Sequence, residues 1–316
     1  MRFMEKVNAG CGWGLKAVPS LLFCVGFLVA DAAAYEEGPV ENGGALTGKV
    51  TLQGEKPVSR GFNLVTFPDP VYCGRISNGN GWRLLREFTV GPDHGLKEVV
   101  VMLTGIEQGK PFTFQAPRIE AIDCQFKPFV TVVRDQQPLS VVNQDPVMHD
   151  IQAYETSQLG PRVLFNVPLP VNPRHPGTAS QDAQYQKHIA GQPMIQVIHM
   201  TKGRRVFVMQ CGFHAYMESW GLAVDNPYYA LTDQAGHFEI SDVPPGTYRL
   251  TVWHPQARTI IEQDVTIPSK GAVTANFEIR PREGSRAGME AVENPRFSMG
   301  ILGNREVKPT LELQQP

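Results

Sequence analysis

Apolar and polar residues alternate with a period of two along most of this chain. Leu46-Thr-Gly-Lys-Val-Thr-Leu-Gln53 sends every second side chain to one face and stops at Gly54, as a half-buried strand does. Phe62–Phe67 is a second candidate, ended by Pro68-Asp-Pro70, and Glu98–Thr104 is apolar enough for a central strand. Val130–Val133, Leu139–Asn143, Ile195–Ile198 and Arg205–Met209 continue the pattern. Gly236–Ile240, Thr247–Trp253, Ile260–Ile267 and Val273–Ile279 complete it. Short strands separated by turn residues predict an all-β chain built from β-sandwiches. Residues 158–193 break the rhythm with Pro161, Pro168, Pro170, Pro173 and Pro176 and read as one long loop. Residues 281–316 have no period and read as a flexible tail.

Composition sharpens this picture. The 316 residues include 30 Gly and 26 Pro, too many helix breakers for a helical bundle. An apolar fraction of 42% excludes a disordered chain, and a net charge of −2 without like-charge blocks gives nucleic acid no footing. Arg2, Lys6 and Lys16 precede an apolar run from Ala17 to Ala30, followed by Asp31-Ala-Ala-Ala34. A basic start, a short apolar run and small residues at a cleavage site make residues 1–34 a signal peptide. The other reading is an uncleaved membrane anchor, for which the run is short. The mature chain would begin near Tyr35, with a periplasmic or secreted location and no membrane span.

Export changes the meaning of the cysteines. Cys11 and Cys24 leave with the signal, and Cys73, Cys124 and Cys211 remain. An oxidising compartment favours pairing two of the three. Cys211 has His and Met close by, so the expected disulfide is Cys73–Cys124; the alternative is three reduced, buried thiols.

The chemistry lies in two segments, Asn143-Gln-Asp-Pro-Val-Met-His149-Asp150-Ile151 and Cys211-Gly-Phe-His214-Ala-Tyr-Met217. They offer one thiolate, two imidazoles and one thioether. Taken singly, His149 fits a hydrogen-bonded loop and Met217 fits a core. Taken together, two His and a Cys with a weak Met form the donor set of a type I copper site. Structural zinc would want a fourth Cys or His ligand nearby.

These two segments resemble the cupredoxins of the amicyanin and plastocyanin type, over about residues 118–226. The resemblance implies a Greek-key β-sandwich holding one copper ion, with His149, His214 and Cys211 as ligands and Met217 as the axial thioether. Asn143 and Asp150 would support the ligand loops. Family members usually carry Asn after the first His; a carboxylate at position 150 cannot make that amide's donor bond. The resemblance also makes His214 the edge through which electrons pass, within an apolar patch of Phe213, Tyr216 and Met217.

A second resemblance flanks the first. Thr232-Asp-Gln-Ala-Gly236-His-Phe-Glu-Ile and Val243-Pro-Pro-Gly-Thr-Tyr-Arg-Leu-Thr-Val252 look like the carboxypeptidase regulatory-like, transthyretin-like sandwich. The strands at 46–53 and 98–104 would belong to it. The expected organisation is then a signal (1–34), the first strands of this sandwich (35–117) and the copper domain (118–226). The remaining strands (227–280) and the tail (281–316) follow. The copper domain would be inserted within the sandwich or packed beside it, with the disulfide stapling the two. Tyr228, Tyr229, Trp253 and His254 would fill core or interface.

Two functions follow from the resemblance. One is an electron carrier serving another exported redox protein, such as a c-type cytochrome. The other is a copper-holding or scaffold protein, with His175 and His188 of the long loop capping the site. An enzyme is not expected, because copper oxidases and nitrite reductases need a second copper with further His ligands, and no Gly-x-Ser-x-Gly hydrolase motif occurs.

Overall fold

The computed structural model describes residues 35–57, 59–74, 82–85, 87–156, 160–175 and 188–281. The expected signal (1–34), the expected tail beyond Pro281 and part of the long loop lie outside the described residues. The first strands are β1 (Glu36–Glu37), β2 (Gly44–Leu52), β3 (Gly61–Asn63), β4 (Trp82–Leu84), β5 (Val100–Thr104), β6 (Gln108–Gly109) and β7 (Arg118–Ala121). Next come β8 (Phe126–Lys127), β9 (Val130–Arg134), β10 (Pro138–Asn143), β11 (His149–Glu155), β12 (Arg162–Leu169), β13 (Met194–Val197) and β14 (Val206–Gln210). The last are β15 (Glu218–Val224), β16 (Tyr229–Leu231), β17 (His237–Val243), β18 (Gly246–Trp253), β19 (Ile261–Ile267), β20 (Ala272–Thr274) and β21 (Phe277–Ile279). Among the described residues one short α-helix, α1 (Pro70–Cys73), follows β3.

Two sandwiches result, so the chain is all-β as expected. In the first, a sheet ordered β13-β10-β7-β8 faces one ordered β12-β11-β14-β15-β9. The β7–β10 and β9–β15 pairs are parallel and the others antiparallel, a mixed arrangement that hairpins alone cannot make. In the second, β16-β5-β18-β19 faces β17-β2-β20, with β21 also on β2. Strands β2 and β5 precede the first sandwich in the chain, and β16 to β21 follow it.

Period-two patterning sorts the side chains between cores. Ile119, Val141, Ile151 and Phe207 fill the first sandwich, and Leu46, Val50, Leu103 and Leu250 fill the second. A third cluster joins them. Val100 and Met102 of β5 and Trp253 of β18 meet Val130 and Val132 of β9 and Leu222 and Val224 of β15. On β5 the alternate residues Val101 and Leu103 turn the other way, into the second core. That strand is buried on both faces, which explains its unbroken apolar run. Tyr228 and Trp253 are buried, and His254 stacks on Phe88 with ring centroids 4.9 Å apart.

Two expectations need correction. The long loop is not structureless, because residues 162–169 form β12, paired antiparallel with β11 from His149↔Leu169 to Glu155↔Arg162. Pro168 disguised this strand. It is tolerated because β12 is an edge, where a missing N–H breaks no inner ladder. The run 62–67 is a strand only to Asn63, after which a 3-10 turn over Leu64–Thr66 and α1 carry the chain toward the ligand loops.

Candidate metal centre

His149 opens β11 at the end of a loop shaped by Asn143. The Asn143 amide donates to the carbonyls of Val147 (2.8 Å) and Leu169 (3.2 Å), and its oxygen accepts the N–H of Asp145 at 2.9 Å. Cys211 follows β14, and the chain turns back into β15 within one tight loop. That loop closes by Met217 N–H to the His214 carbonyl (2.8 Å) and Cys211 N–H to the Met217 carbonyl (3.2 Å). Both segments meet at the same end of the first sandwich.

Three donor atoms converge there. Nδ1 of His149 lies 3.2 Å from Nδ1 of His214, and Sγ of Cys211 lies 3.8 Å and 3.6 Å from them respectively. A point in their plane sits about 2 Å from all three, close to the bond lengths that imidazole and thiolate make to first-row metals. All three side chains are buried. Met217 is 1% exposed and packs in the same apolar cluster as Cys211.

The outer ring nitrogens leave the inner ones free. Nε2 of His149 is 2.9 Å from Oδ2 of Asp145, an acceptor, so the proton belongs on Nε2. Nε2 of His214 is 3.0 Å from the Pro68 carbonyl, which also only accepts. Each imidazole therefore presents a bare Nδ1 lone pair to the centre. Burial, and then the neighbouring His149, push His214 down to about 4, which keeps its ring neutral. Burial pushes the Cys211 thiol up to about 11, opposed by hydrogen bonds from the backbone N–H groups of Asp150, His214 and Phe213. A soft cation there would displace that proton and find a dry trigonal set of two nitrogens and one sulfur. These residues fit a copper ion.

Asp150 does more than its acceptor-only chemistry promised. One carboxylate oxygen accepts the N–H of Gly212, and the other accepts the Gln152 amide at 2.9 Å. The two ligand segments are tied together with the donor supplied by the backbone. A Cβ at residue 212 would meet the side-chain ends of Gln152 and Asp150, so a larger residue there would have to displace the groups that tie the two segments.

The expected electron edge is covered. His214 is 0% exposed, and Tyr216 and Met217 are buried too; of the supposed patch only Phe213, at 44%, reaches solvent. The cover is the chain's own segment 61–74. Pro68 caps the ring nitrogen, Sγ of Cys73 lies 3.8 Å from it, and Phe62 and Phe67 pack on Tyr216. The Cys73–Cys124 disulfide, whose Cα atoms are 5.8 Å apart, pins this strap inside the first sandwich, both cysteines lying in its core, rather than stapling the two sandwiches as expected, while Cys211 is free. His188 instead pairs with Asp123 at 2.8 Å, and neither it nor His175 joins the His149–Cys211–His214 group.

Sequence reasoning missed Asp145. Its carboxylate is wholly buried and accepts from Tyr72 Oη (3.0 Å), Asp123 N (2.7 Å) and Cys124 N (2.9 Å) besides His149. The available signal was an acidic residue four positions before a candidate ligand.

Residues 223–280 match the carboxypeptidase regulatory-like domain. No curated protein matches the chain. Among solved structures, a purple cupredoxin from Nitrosopumilus maritimus is 17% identical, covering 35% of this chain and 100% of its own, with a TM-score of 0.24. An amicyanin mutant in its reduced state is 11% identical, covering 39% and 98% at a TM-score of 0.24. Reduced auracyanin from Roseiflexus castenholzii is 9% identical, covering 35% and 98% at 0.22. The chain is thus similar to a carboxypeptidase regulatory-like domain at its C-terminal side and, over about a third of its length, to cupredoxins.

Proposed function

We propose that this protein is an exported type I copper protein that carries single electrons between redox partners. The observation that carries the reading is the buried triangle of Nδ1, Nδ1 and Sγ, with both outer nitrogens held by acceptors. In this reading His149, His214 and Cys211 are the ligands and Met217 is the weak axial donor. Copper would supply the Cu(II)/Cu(I) couple. Two packed sheets would hold the ligands in one geometry for both states, which keeps the cost of reorganisation low. Residues 118–226 form the copper module, with the strap 61–74 packed into its core, and the module is set between two stretches of a regulatory-like sandwich. The partner is another exported redox protein, such as a c-type cytochrome, and the protein has no catalytic activity of its own. Electrons then reach His214 through the strap at Pro68 rather than across a bare imidazole edge.

That same strap favours a second reading, copper holding without fast electron exchange. Adding one equivalent of Cu(II) and then a mild reductant separates the two. A carrier shows an intense thiolate-to-copper band that bleaches and returns reversibly; a holding protein keeps Cu(I) and stays colourless.

A further inference from the structure

We propose that Asp145 is a positioning residue that orients and polarises the metal-binding imidazole of His149, and that Tyr72 of the strap sets how strongly it does so. The proposal rests on reading His149 as a copper ligand. A carboxylate on the outer nitrogen of a ligating imidazole fixes its tautomer and raises its basicity. Asp145 is placed for this, with Oδ2 2.9 Å from Nε2 and no solvent exposure. Its position is over-determined. Backbone N–H groups of Asp123 and Cys124 each hold one oxygen, so the carboxylate cannot turn away from the ring. The buried Arg83 donates to the carbonyl of Cys124, the residue whose N–H holds Oδ2, and so fixes that backbone from its other side.

Tyr72 supplies the adjustable part. Its hydroxyl donates to Oδ1 at 3.0 Å and draws electron density from the carboxylate. Tyr72 precedes Cys73, so the disulfide that pins the strap also keeps this hydroxyl in place. The two substitutions therefore act with opposite sign. Asp145→Asn removes the charge and puts an amide NH2 where two N–H donors already point, disfavouring the Nε2–H tautomer. Tyr72→Phe leaves the carboxylate less shared, so it pulls harder on the Nε2 proton and makes Nδ1 the better donor to Cu(II).

The test combines ring-nitrogen NMR of the metal-free protein with Cu(II) affinity and reduction potential of the loaded one. The metal-free protein is expected to show His149 as the Nε2–H tautomer, and Asp145→Asn to lose it. Asp145→Asn should also weaken Cu(II) binding roughly 10- to 100-fold and raise the potential. Tyr72→Phe should keep the tautomer and lower the potential. A merely structural role would move both potentials the same way, and that result overturns the proposal. So does an unchanged His149 tautomer in Asp145→Asn. Should that variant not fold, Tyr72→Phe decides alone: an unchanged or raised potential refutes the inference. Failure of the wild-type protein to bind copper would refute the proposed function, while the metal-free spectra would still settle what Asp145 does.

Discussion

Cutting the disulfide should loosen the strap without removing any proposed ligand. Cys73→Ser with Cys124→Ser opens a crosslink between residues 51 apart in sequence. The chain-entropy relation puts the loss at about 4 kcal/mol at 25 °C. Native contacts at the strap persist, since Leu64 and Tyr72 are buried in the first core and Phe67 stacks edge-on to Tyr216 at 5.1 Å. The cost should therefore fall first on local opening of segment 61–74. If opening gates escape of the metal, a shift of that size raises its frequency by up to about a thousandfold. The assay follows transfer of Cu(I) to an excess of a soluble chelator, alongside urea denaturation of the metal-free protein. Transfer should be markedly faster in the double variant and the urea midpoint lower. Equal transfer rates in both proteins would show that the strap does not gate the site, whatever happens to the midpoint.

Three further outcomes are expected. Met217→Leu should keep copper and raise its potential, because a weak electron donor is lost; potentiometry checks this, and complete loss of copper would contradict an axial role. Metal-free protein should lose stability as pH falls from about 6.5 toward 4, since His214 is neutral when folded yet protonated when unfolded across that window. The loss is of order 3 kcal/mol by the end of the window, and urea midpoints of the wild type and His214→Asn at pH 7 and pH 4.5 should diverge accordingly. A thiol assay on unfolded, metal-free chain starting at Tyr35 should count one reactive cysteine before reduction and three afterwards; three from the start would remove the disulfide.

Legibility in the sequence followed the range of the interactions. The Cys211-to-Met217 loop was readable because its donors lie within one turn of chain between two strands. The period-two runs at 46–53 and 247–253 were readable because alternation is local. Strand β12 was hidden by Pro168, whose edge position is known only once the sheet order is known. The strap was invisible for a different reason. Nothing local to residues 61–74 says that the Pro68 carbonyl will meet a ring 146 positions away. The apolar character of Tyr216 and Met217 was visible, but it fits burial beneath a strap as well as a docking patch. Asp145 was overlooked because it sits beside Pro146 in what reads as an ordinary turn, and its four partners come from three separate stretches of chain.

The most direct measurement is a stepwise Cu(II) titration of the metal-free wild type and Cys211→Ser, with visible and paramagnetic resonance spectra at each step. The wild type should saturate at one equivalent, with an intense thiolate-to-copper band that a reductant bleaches reversibly, and Cys211→Ser should keep the fold and lack the band. Absence of the band in the wild type, or its survival in Cys211→Ser, would contradict the account.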